Sequence, residues 1–123
     1  MKALEQTETQ QSLLEQLIVS VSRLARPAES QIAYLEALGM GTTADELALE
    51  LDDVAEAALA VPRLLSQRTL VRALDDQLRE MSGPESAELW SQQALRTSPV
   101  WSKIRTQARV ALTDLHAERV ASA

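Results

Sequence analysis

The sequence predicts an all-α fold, a bundle of about six helices arranged long-short-long and then long-short-long again. Three observations carry this. Apolar residues recur at three- and four-residue steps almost throughout the 123 residues, as one face of a helix requires. No stretch combines period-two alternation with the β-branched enrichment of a strand. The breaks fall at Pro27, Gly39-Met40-Gly41, Pro62, Gly83-Pro84 and Ser98-Pro99, where helix stop and start signals belong.

Leu14, Leu17, Val21 and Leu24 form the stripe of the first helix, which Pro27 ends. A short second helix runs from Ala28 to Leu38, and the paired glycines then favour a turn with positive φ. Thr43 with Glu46 three residues on reads as a capping box opening the third helix, whose stripe is Leu47, Leu51, Val54 and Ala58. Pro62 suits the first position of a fourth helix, striped by Leu64, Val71, Leu74, Leu78 and Met81, with Gln67 interrupting. A short fifth helix spans Pro84 to about Leu95. Ser98-Pro99 opens the last, with Trp101, Ile104, Ala108, Ala111 and Leu115 inward.

A shift of 57 residues brings the first and fourth stripes, Pro27 and Pro84, and the third and last stripes into register. This suggests two three-helix units related by an approximate dyad. With 46% apolar residues, a chain of this length can bury about two-thirds of its unfolded surface, so residues 1–123 are expected to form a single all-α domain.

Composition excludes several chemistries. The chain has no Cys, which removes disulfides, thiolate metal sites and cysteine nucleophiles. The N-terminal residues lack the apolar core of a signal peptide, and the longest apolar run, Ala57–Val61, is far short of a membrane span. A cytoplasmic protein with no membrane partner is expected.

The net charge of −6 is uneven. Residues 1–61 hold three bases against eleven acids, whereas residues 62–123 hold nine bases against seven acids. Six of the acids, Asp45, Glu46, Glu50, Asp52, Asp53 and Glu56, fall on one broad face of the third helix, with Leu49 among them. On the fourth helix, Arg72–Asp76 and Asp75–Arg79 have the spacing of supporting pairs.

The layout of Leu38 to Asp45, helix then glycine turn then helix, superficially matches a helix-turn-helix. The helix entering the groove would carry five acids, and phosphate repulsion opposes that, so no nucleic-acid partner is expected. Glu50–Asp53 and Glu85–Glu88 each set two acids one helical turn apart, a spacing that can hold Mg²⁺. Among 18 acids on helices such spacings arise by accident. The sole histidine, His116, has no Glu three residues before it, which excludes a di-iron bundle motif, and it reads as a surface residue. No Gly-x-Ser-x-Gly elbow, phosphate loop or dinucleotide fingerprint is present.

The expected function is therefore non-catalytic. The reading is a helical protein–protein interaction or regulatory module, either self-associating as a homodimer or binding a basic protein, with no cofactor, metal ligand or catalytic residue assigned. Its expected interaction surface comprises Glu46, Leu49, Glu50, Asp53 and Trp90. Trp90 belongs there because tryptophan is enriched at binding hot spots. The alternatives are a helical small-ligand-binding or sensor protein and a carboxylate-metal-dependent enzyme.

Overall fold

The computed structural model describes residues 2–39, 42–59 and 65–122, with side chains described at 12–39, 42–57, 69–117 and 120. Its helices are α1 (Lys2–Ala25), α2 (Ala28–Leu38), α3 (Asp45–Leu59), α4 (Leu65–Glu80), a 3₁₀ segment (Pro84–Trp90), α5 (Gln92–Thr97) and α6 (Pro99–Ser122). The described residues contain no strand, and the fold is an all-α bundle. Met40, Gly41, the Pro62 helix start and Leu64 lie outside the described residues, as do the side chains of Ala58 and Gln67.

The described residues of the predicted stripes lie in the core, which also takes in Ile32 and Leu35 of α2 and Leu95 of α5. Leu14, Leu17, Val21 and Leu24 of α1 are buried, as are Leu47, Leu51 and Val54 of α3 and Val71, Leu74, Leu78 and Met81 of α4. Trp101, Ile104, Ala108, Ala111 and Leu115 of α6 are wholly excluded from solvent. Helices α1 and α4 each pack against both α3 and α6, so α3 and α6 occupy opposite corners of the bundle. Helix α2 packs against α5 beside these four. Helix α5 also packs against α6.

One predicted element is divided. The fifth helix, expected to run from Pro84 to about Leu95, is a 3₁₀ segment and a separate α5, which gives seven helical segments among the described residues. An unbroken helix would pair the Trp90 carbonyl with the Ala94 N–H. Instead the Trp90 carbonyl accepts from the Ala44 N–H at 2.9 Å, and the Ala94 N–H donates to Ser91 Oγ at 3.0 Å. Ser91 is extended (φ −76°, ψ 158°) and caps α5.

The start of α3 also departs from expectation. Thr43 Oγ1 donates to the Asp45 carboxylate, and the helix begins at Asp45 with no capping box. The Ser98 cap forms as expected, its Oγ accepting from the Val100 N–H at 3.2 Å.

Polar contacts fix the remaining ends. Fully buried Gln31 donates its amide to the Arg23 and Leu24 carbonyls at 3.1 Å each, and Arg109 Nε donates to the Ala25 carbonyl at 3.1 Å. These satisfy the last carbonyls of α1 and set a cation at its negative end. Arg105 Nη1 holds the Gln31 amide oxygen and the Leu95 carbonyl, each at 3.0 Å, joining α6 to α2 and α5.

Candidate functional site

The acidic helix α3 is tied to both neighbours. On its α1 side, Glu50 Oε2 accepts from Arg23 Nη1 at 2.8 Å and from the Tyr34 hydroxyl, while the Arg23 guanidinium lies 4.3 Å from the centre of the Tyr34 ring. Burial, and then the hydrogen bond to the Glu50 carboxylate, push the Tyr34 hydroxyl above its ordinary pKa. Glu50 Oε1 is buried with no hydrogen-bond partner among the described residues. Asp53 lines the same cleft, of about 470 Å³, together with Val19 and Ser20 of α1. On the α4 side, Asp52 Oδ1 accepts from Arg79 Nη2 at 2.6 Å.

A second, larger groove opens between the first half of α3 and the 3₁₀ segment, with a volume of about 630 Å³. Its apolar lining is Ala48 and Leu49 from α3 and Pro84, Ala87 and Trp90 from the 3₁₀ segment. Leu49 is half exposed, in line with its place among acids on the helical projection. Trp90 is partly buried and stands edge-on to core Trp101, ring centres 5.6 Å apart and planes at 83°.

The 3₁₀ wall buries no residue of its own. Polar contacts hold it in place. Trp90 Nε1 donates to the Met81 carbonyl at 2.7 Å, Trp101 Nε1 to the Leu89 carbonyl at 2.5 Å, and Gln92 Nε2 to the Thr42 carbonyl at 3.1 Å. With the Ala44–Trp90 backbone bond, these join the end of α4, the 3₁₀ segment and the start of α3 into one scaffold.

The five sequence-predicted surface residues are thus divided. Leu49 and Trp90 meet in the apolar groove, whereas Glu50 and Asp53 face the cleft toward α1. Glu46 is partly buried, and its charge bears on Tyr34. Asp52, Asp75 and Arg79, absent from that set, form a cluster beside the groove. The i,i+4 spacing of Asp75 and Arg79 was the one signal in the sequence for it. His116 is exposed. Among the described residues, no three His, Cys, Asp or Glu side chains gather as a metal site, and no helix is long and apolar enough to cross a membrane. Comparison with models of protein families, with curated proteins and with solved structures gives no match.

Proposed function

We propose that this chain is a non-catalytic protein-interaction module. Its docking surface is the groove between α3 and the 3₁₀ segment, and its ligand is an apolar segment of a basic protein. The observation that carries this is the meeting of Leu49 and Trp90, two large apolar side chains from separate elements, in one open groove. An aromatic anchor in a concave apolar setting is the usual centre of a binding hot spot.

Charge selects the kind of partner. Residues 43–61 carry six acids and residues 80–95 carry three, and neither stretch carries a base. Asp45 alone of these lines the groove, but the field of the whole set attracts a positively charged segment to this side of the molecule and repels an acidic one. A second reading, the binding of a small apolar molecule, draws on the groove volume, which lies within the range of small-ligand sites.

Selection of short random peptides displayed on phage against the immobilised protein tests the reading. Leu49→Arg and Gly83→Leu serve as groove-blocking variants. Leu49 is half exposed, and Gly83, which lines the groove, has an ordinary φ and a Cβ placed on it meets nothing within 4 Å, so both variants should fold. The expected result is a family of peptides that binds the parent and loses at least about tenfold in affinity on both variants. Peptides indifferent to both substitutions, or no enriched family at all, would overturn the docking reading. Saturable binding of small apolar dyes without any peptide family would favour the second.

A further inference from the structure

The apolar groove leads to a charged recess. Ala48, Leu49 and Ser82 line both the groove and a smaller recess of about 100 Å³ that also takes in Asp52, Asp75 and Arg79. Arg79 serves both carboxylates. Its Nη2 and Nε reach Asp52 Oδ1 at 2.6 and 3.2 Å, and its Nε reaches Asp75 Oδ2 at 3.3 Å. Two acids share one guanidinium, which leaves the recess a net negative charge. The Arg79 cation lies at the solvent edge, its side chain 61% exposed, while that of Asp75 is only 9% exposed.

The surroundings of Asp75 agree with an unmet demand for positive charge. Burial and the neighbouring Asp52 charge push its carboxyl above the ordinary aspartate range, and Arg79 offsets this only in part. A cation arriving through the groove would meet Asp75, sheltered from water, beside the more exposed Asp52, and near Asp75 screening is weaker and attraction stronger than at an open surface.

We propose that the docked segment carries a lysine or arginine next to its apolar anchors, and that this cation seats in the recess against Asp52 and Asp75 while the apolar side chains lie against Leu49 and Trp90. The inference rests on the groove being the docking surface. It adds the order of the ligand's chemistry, with apolar anchors along the trough and a cation at its inner end.

The peptide selection separates the two claims when run in parallel on three proteins. These are the parent, the double variant Asp52→Asn with Asp75→Asn, and a control pair, Asp53→Asn with Glu56→Gln. The control removes equal charge from elsewhere on α3. Groove-dependent peptides from the parent should carry a Lys or Arg at a fixed offset from their apolar residues. Replacing that residue with Gln should weaken binding to the parent and the control about tenfold, and to the recess variant less than about twofold. Groove-dependent peptides with no basic preference would overturn the inference and leave the docking reading standing. So would a preference that survives unchanged in the recess variant. Peptides insensitive to Leu49→Arg would remove both.

Discussion

Asp75 is a buried carboxyl in surroundings that, on balance, work against its charge. It faces Asp52 from α3 and Arg79 and Asp76 from its own helix, and burial and Asp52 outweigh the single guanidinium. Its folded-state pKa therefore lies above its unfolded value, and the folded state keeps the proton longer. By linkage, the Asp75 contribution to stability is most favourable below the unfolded pKa and falls away as pH rises through the folded one. Asp75→Asn keeps the size and most of the hydrogen bonding without the charge. Urea unfolding should find this variant more stable than the parent at neutral pH, with the difference shrinking as pH is lowered into the carboxylate range. A variant less stable at pH 7, with the deficit disappearing in acid, would mean that the Arg79 pairing outweighs burial. The same carboxyl is the feature on which the recess proposal depends, because a docked cation would relieve what Asn relieves. The sequence revealed Asp75 only as a helical partner of Arg79. Its second neighbour, Asp52, belongs to α3 and comes near only through packing.

At the scale of elements, the glycines divide by function. Gly39 closes α2 at φ 155° and ψ 145°, a backbone region that other residues rarely adopt, while Gly83 sits at an ordinary φ of −72° before Pro84. A Cβ on Gly39 would meet Thr42 Oγ1 at 3.5 Å, an ordinary contact, so the penalty there is one of backbone conformation. Gly39→Ala should accordingly cost about 1–3 kcal/mol, whereas Gly83→Ala should gain about 0.5 kcal/mol by restricting the unfolded chain. Chemical denaturation of the two variants beside the parent would measure both, and equal effects would contradict the distinction. Both glycines read alike in the sequence, as punctuation between periodic segments. The apolar stripes were legible because burial at three- and four-residue steps is a local pattern. The break at Trp90 was not, because it depends on a carbonyl claimed by Ala44, the residue before α3 begins. The groove inherits that illegibility. Leu49 could be placed on an outer face from its own helix, but its meeting with Trp90 exists only once the Ala44 contact and the Met81 and Leu89 carbonyls have fixed the 3₁₀ wall.

For the whole molecule, the question is whether its charge draws it to a copy of itself or to something else. Helix α3 carries six acids and no base, and α6, at the opposite corner, carries four bases against two acids, so helices of opposite charge exist on one chain. Against that stands the net charge of −6. Two such molecules in contact, with centres about 35 Å apart for a domain of this length, repel by about 4 kcal/mol in unscreened water. A Debye length of about 30 Å at 0.01 M salt preserves much of that repulsion, and one of about 8 Å at 0.15 M removes most of it. The attraction between the α3 and α6 faces acts over shorter range and is offset in part by the pairs Glu50 and Asp52 already form within the chain. At low salt the repulsion should prevail between copies, and at 0.15 M screening weakens the attraction between the exposed faces as well, while a basic partner meets attraction from both the net charge and the local acids. Sedimentation velocity at about 0.01 M and 0.15 M salt should therefore show a single species of one chain at both, and a groove-dependent basic peptide should bind more tightly at the lower salt. A dimer populated at 0.01 M that dissolves as salt is added would reverse this balance. It would make the partner a second copy of the chain, with the α3 face of one molecule set against the α6 face of the next.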